Sequence, residues 1–304
     1  MTTRETTGLF KAAIWGISTD QEIELSETSR LMPFGSLQQS YISRRILERA
    51  TPCYDHSIWM AHNYFDAPSA AFVEELPNFP YIRGDNSAFL RLDEATWKAH
   101  EFVVLAQAAC VGQPLAVACW FEYADSELGY AESDKDYTWL LPEIPPHVRS
   151  AVPGDSHAIK TSVASYCALP DDQRARLFRS MERFRLSQSR REDIDRVLDL
   201  ALAFEIAVSE KGDNAPPSWK VSVRAAQVIG GPLETRKQIR GDIGALYELR
   251  NQATHGGTVR TKSSKISVDK VLQESCELYV ALMKQLLSLR DKPDWKSLEL
   301  GPAN

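Results

Sequence analysis

Arg250, Asn251 and His255 fall within six residues of one another in the stretch LRNQATHGG, residues 249–257. These side-chain types suit the handling of a phosphate ester. Arginine offers a planar fork of donors for phosphate oxygens. Histidine takes or gives a proton near neutral pH. Asparagine can orient either partner. Gly256 and Gly257 suit a helix stop through positive φ. The plainer alternative is a frayed helix end with a double-glycine stop. Spacing alone does not choose between them. Arg49 and His56, in RATPCYDH, stand a similar distance apart, and Pro52 interrupts any helix between them.

The elements that position the three residues carry more information. Ile239, Ile243 and Leu246 form one apolar stripe, and one more step along it reaches Arg250. Eleven residues make about three helical turns, so Arg250 continues a core-facing line. A guanidinium there needs a partner or a cleft, because an unpaired buried charge is costly. Asn251 and His255, at i and i+4, share a neighbouring face.

The rest of the C-terminal half repeats this helical grammar. Leu177, Met181 and Phe184 recur at helical spacing after the entry Pro-Asp-Asp at 170–172, where acids suit a helix start. Residues 191–210 are apolar nearly all round from Val197 onward, which predicts a central buried helix. Val221, Ala225 and Val228 form a stripe that stops at Gly230–Gly231. Residues 267–290 predict a long amphipathic helix, with Ser267 and Asp269 at its start and Val268, Leu272, Tyr279, Leu282 and Leu286 near one face. Short breaks between such helices imply antiparallel neighbours in an all-α bundle.

The N-terminal half reads as mixed α and β. Residues 21–31 and 114–124 have strand-like stretches, and residues 92–109 predict a helix with Asp93 as its cap. Loop clusters such as 65–70, 76–87 and 141–148 concentrate there. The expected organisation is an α+β domain over 1–150, a connector over 151–169, an antiparallel helical bundle over 170–292, and a tail over 293–304.

Composition sets further bounds. The chain has 304 residues, 43% hydrophobic and 25% charged, which suits a globular protein with two domains. No apolar run approaches the ~18 residues of a membrane span, and the first residues lack the apolar core of a secretory signal. The five cysteines form no C-x-x-C pair, which points to free thiols in the cytoplasm. No cysteine–histidine cluster has zinc-ligand spacing, and no metal or other cofactor is expected. Residues 1–150 hold 11 Lys and Arg against 21 Asp and Glu, whereas residues 151–304 hold 24 against 20. A polyanion would meet the C-terminal half more readily. No DNA-binding motif is present.

The surroundings of the Arg–His pair resemble an Apea-like HEPN domain over about residues 170–290. The matching positions are Arg183, Phe184, Ser187 and Arg190; Asp195 and Asp199; Glu205; and Tyr247, Arg250, Asn251, His255 and Gly256. Phe204 stands where such domains tend to have leucine. The resemblance implies a HEPN-like all-α bundle that dimerises. It also implies a metal-independent endoribonuclease in which motifs from two protomers share one cleft. Arg250 would then bind the scissile phosphate, His255 would move protons, and Asn251 would position them. The products would be a 2′,3′-cyclic phosphate and a 5′-hydroxyl. Such proteins often serve as toxins or in antiviral defence. Other HEPN domains act as interaction modules, which gives a non-catalytic dimerisation or ligand-binding module as the alternative.

Several further residues have two uses. Asp199 and Glu205, in an apolar helix, could aim Arg250 or form a structural pair, with Arg224 as one candidate partner. Tyr247 could support the site or pack. Arg183 and Arg190 could touch RNA phosphates or pair between helices. Trp219 and Tyr247 could stack on bases, with helix packing as the ordinary use. His56 and His62 lack a third ligand. Residues 230–237 have neither the spacing nor the preceding strand of a P-loop. An enzyme site in the N-terminal half would need a constellation that the sequence does not display.

Overall fold

A computed structural model describes residues 6–50, 67–79, 86–109, 114–125, 128, 138–139, 151–210, 218–261, 267–289 and 291–300. Arg49 has no described side chain, and Cys53, His56, His62, Cys110 and the loop cluster at 141–148 lie outside these residues. The chain divides into two units. The first comprises residues 1–103 and 112–160, and the second residues 104–111 and 161–304.

The first unit is built on a six-stranded antiparallel sheet. Its strands are β1 (Thr6–Trp15), β3 (Ile23–Glu24), β4 (Ser29–Pro33), β5 (Ala70–Phe79), β6 (Leu115–Tyr123) and β7 (Thr138–Trp139), in the order β3-β4-β5-β1-β6-β7. A separate two-stranded pair joins β2 (Ile17–Ser18) to β8 (Val152–Pro153). Two helices accompany the sheet, α1 (Tyr41–Ala50) and α2 (Asn86–Ala109). Phe72 of β5 stacks on Phe102 of α2 on one sheet face. Trp15, Val73 and Trp120 cluster with Ile42 and Ile46 of α1 on the other. Both faces of β1 are therefore covered, and Phe10 through Trp15 are all buried. Lys11 is buried with them, ion-paired to Glu122, whose other oxygen accepts from the Trp120 indole at 2.5 Å. Gly8 is required where β1 crosses the Phe121 ring, because a Cβ there would stand 2.5 Å from a ring carbon.

The strand-like run 21–31 holds β3 and the start of β4, paired as a hairpin. Two other expectations for this half need correction. The loop cluster at 76–87 begins inside β5, which continues to Phe79 through Asn78 at positive φ. Helix α2 starts at Asn86, so Asp93 is an exposed mid-helix residue and not its cap. The early turns are held by Arg91, which donates to the Pro77 and Asn78 carbonyls and lies over the Phe79 ring.

The expected connector at 151–169 is largely a helix, α3 (Ser156–Cys167). Ile159, Val163 and Tyr166 supply a buried stripe at i, i+4 and i+7. Asp155 caps it by accepting from the Ala158 N–H at 3.0 Å.

The second unit is helical. It contains α4 (Asp171–Ser189), α5 (Asp193–Val208), α6 (Ser218–Ile229), α7 (Leu233–Gly256), α8 (Val268–Ser288) and α9 (Trp295–Leu300). Leu177, Met181, Phe184, Ile239, Ile243, Leu246, Leu272, Tyr279, Leu282 and Leu286 are all buried, as their spacing predicts. Val228 and Val268 are only half-buried. Helix α5 touches α4, α6, α7 and α8, which makes it the central helix. Tyr279 of α8 stacks on Phe184 of α4 and meets Phe204 of α5 edge-on. The Tyr279 and Ser180 hydroxyls lie 2.7 Å apart, and the Ser180 hydroxyl also donates to the Ala203 carbonyl. Contacts from α4 to α5 run in opposite directions along the two helices, since Arg176 reaches Ser209, Ser180 reaches Ala203 and Arg183 reaches Asp199. That is antiparallel packing. Ser267 caps α8 by accepting from the Lys270 N–H at 3.1 Å.

The expected tail at 293–304 is another correction. Trp295, at the start of α9, is 1% exposed and lies under the Arg224 guanidinium. Glu299 accepts from Arg224 Nε at 2.7 Å. A buried indole and an ion pair are what hold this short helix.

Candidate functional site

Helix α7 starts after Pro232, which cannot donate and so suits a helix entrance, and has Glu234 in its first turn. Its buried line of Ile239, Ile243, Leu246, Leu249 and Ala253 faces the interior. Gly257 ends the helix at φ +58°, whereas Gly256 is still helical. A left-handed residue just past the last turn is the usual glycine stop.

Arg250 continues the buried line and reaches a partner. Its guanidinium stands 3.7 Å from Glu205 of α5, and its side chain remains 37% exposed. Tyr247, one turn back, is buried, with its hydroxyl donating to the Ala201 carbonyl at 3.5 Å. Burial pushes the Glu205 carboxyl above its ordinary range, partly offset by Arg250 and the Tyr247 hydroxyl. Burial and the adjacent Glu205 charge push the Tyr247 phenol upward too, so it stays protonated and serves as a donor. Glu205, Tyr247 and Arg250 thus form one polar cluster between α5 and α7.

Asn251 and His255 are exposed, one turn apart, at the end of α7. Thr254 closes this turn by donating to the Arg250 carbonyl at 2.8 Å. The Gln252 side chain accepts from the Arg260 N–H at 2.9 Å and ties down the segment after the helix. Five residues at ~100° each set Arg250 and His255 about 140° apart around the helix axis. In one chain, then, Arg250 turns toward α5 and His255 toward the outside.

The other candidate residues separate into two clusters. Asp199, 9% exposed at its side chain, accepts from Arg183 at 3.0 Å and from Arg190 Nε at 2.9 Å. Its hydrogen bond holds the Arg190 guanidinium above its ordinary value. Both arginines considered for RNA phosphates therefore bridge α4 to α5, with part of each side chain still in solvent. Among the described residues, Arg224 pairs with neither Asp199 nor Glu205, the partners weighed for it above. It is 1% exposed, donates to Glu299 and to the Val208 carbonyl at 2.7 Å each, and lies 4.0 Å from Glu210. It sits on α6 facing α9, and sequence spacing carries no signal for that pairing.

Trp219 also departs from its ordinary use. It is 55% exposed, whereas Tyr247 packs in the interior. Among the described residues no group of three His, Cys, Asp or Glu side chains is placed to hold a metal ion, and no helix is long and apolar enough to cross a membrane. Comparison with known protein families, curated proteins and solved structures finds no match to this chain.

Proposed function

We propose that this chain is a metal-independent endoribonuclease of the HEPN type, working as a homodimer with Arg250, Asn251 and His255 in a composite site. The observation that carries the reading is the half-exposed Arg250, paired with Glu205, on the same helix end as the exposed Asn251 and His255. One chain keeps Arg250 and His255 on different faces, and on this reading two copies supply them to one phosphate. His255 takes the proton of the ribose 2′-hydroxyl, and the 2′ oxygen bonds to phosphorus. The bond from phosphorus to the 5′ oxygen breaks, and that oxygen takes up a proton. Arg250 offsets the charge gathering on the phosphoryl oxygens. A cyclic phosphate and a 5′-hydroxyl result, with no metal required.

The test is incubation of the purified chain with end-labelled RNA in EDTA, beside His255→Ala. Wild-type cleavage to cyclic-phosphate ends, abolished in the variant, is the expected result. No cleavage by the wild type, or equal cleavage by the variant, rejects the reading.

The second reading is a non-catalytic dimerisation or ligand-binding module. The Arg250–Glu205 pair favours it, because the same contact joins α5 to α7. On that reading Arg250→Ala lowers the melting temperature and neither protein cuts RNA.

A further inference from the structure

Helices α6 and α7 border an open groove of about 420 Å³. One wall carries Trp219 and Ser222 of α6, and the other Lys237, Arg240, Gly241 and Gly244 of α7. Among the described residues, its lining joins an exposed indole to two cations and includes no acidic side chain. A Cβ on Gly241 or Gly244 would meet nothing within 4 Å, so this wall stands open. Among the described residues, Lys237 is tied only to Glu234, at 2.8 Å on an exposed turn. Such a surface pair is weak and releases the ammonium readily to a stronger anion.

The groove also has a direction. Lys237 and His255 are 18 residues apart on α7, which is five whole turns and ~27 Å of rise. Arg240 and Asn251, like Gly244 and His255, are 11 residues apart, close to three turns. The cations of the groove and the exposed pair at the helix end therefore lie along one face of one helix. Glu248 falls on the same face between them.

We infer that this groove docks single-stranded RNA, with a base stacked on Trp219 and phosphates on Arg240 and Lys237, and that it leads the strand along α7 toward His255. The inference rests on the ribonuclease reading for its destination, but the binding stands by itself. An exposed indole suits any unpaired base, because every base has a π-face. The cations follow the backbone without reading sequence. A duplex, whose bases are already stacked, cannot use the indole.

The probe is a fluorescein-labelled single-stranded RNA, titrated with the full chain in EDTA and followed by anisotropy over a salt series. Trp219→Ala is expected to weaken binding roughly ten-fold, the order of one lost stacked base, while Trp219→Phe keeps most of it. Arg240→Ala is expected to lower the slope of log affinity against log salt by about one. Both positions are exposed, so both variants should melt with the wild type. His255→Ala should bind like the wild type while losing cleavage. If the RNA binds through Trp219 and no cleavage occurs, the groove stands and the nuclease reading falls. A wild type that does not bind the strand, or Trp219→Ala and Arg240→Ala proteins that bind it unchanged, overturns the groove. So does a change of oligomeric state in these variants without loss of binding, which would make the groove a contact between copies of this chain.

Discussion

Glu299→Ala is the sharpest test of how the helical unit is held. Arg224 is almost wholly removed from solvent, and its Nε donates to Glu299 at 2.7 Å. Removing one partner of a buried ion pair commonly costs about 3–5 kcal/mol, because the other charge is left uncompensated. Here the contacts that Arg224 keeps soften the loss. The Val208 carbonyl still accepts at 2.7 Å, Glu210 remains at 4.0 Å, and the Trp295 ring lies 5.2 Å from the guanidinium carbon. Glu299 is also 19% exposed. The expected loss is therefore below that range, about 2 kcal/mol. For a unit of this size each kcal/mol moves the melting temperature by about 2–4 °C, giving a fall of roughly 4–8 °C. Thermal unfolding followed by far-ultraviolet circular dichroism reads it. Adding Arg224→Met should recover most of the loss, because an apolar side chain of similar length needs no partner. A Glu299→Ala protein that melts with the wild type would refute this account of α9. So would a double variant less stable than Glu299→Ala alone.

Two further outcomes follow from the candidate site. Gly257→Ala should destabilise by about 1 kcal/mol, because its φ of +58° is unfavourable for a side chain, whereas Gly256→Ala, helical and unobstructed, should be neutral or slightly stabilising; urea unfolding of the two variants would reveal any reversal of that order. The Glu205 carboxyl is raised in the folded chain, so folding binds a proton as pH passes through the raised range. Its contribution is complete below the unfolded carboxyl value and declines as pH rises through the folded one. Glu205→Gln should therefore flatten the fall in melting temperature between acidic and neutral pH, and an unchanged slope would count against that burial.

Most of the helices were legible because they bury one stripe and expose the rest, and α5 because it is apolar nearly all round. Ile239, Ile243 and Leu246 announce α7, and the same line extends to Arg250 and its half-buried position. In the sheet, β6 was legible as the strand-like run at 114–124, but β1 was not, because the centre of the sheet has no such contrast. Every residue from Phe10 to Trp15 is buried, so β1 shows no alternation. The ion pairs were hidden for another reason. Arg183 and Arg190 are two helical turns apart, and only the antiparallel packing of α4 on α5 brings Asp199 to both. Trp219 runs against the ordinary expectation that a large aromatic packs inside, because the first turn of α6 leaves it facing outward.

The position of β1 between β5 and β6 has a kinetic consequence. Ala13 pairs with Ala71 on one side and Ala118 on the other, across 58 and 105 residues of chain. Loops of that length must close before any of this pairing stabilises the strand. The contacts of α4 with α5, or of α6 with α7, need only a short turn. The helical unit should therefore form early and the sheet late, and β1 is the strand whose two edges wait longest for partners. In that interval the ribbon from Phe10 to Trp15, apolar apart from Lys11, is open to pairing with another chain. Folding yield, more than final stability, is then the property that changes in β1 would alter first.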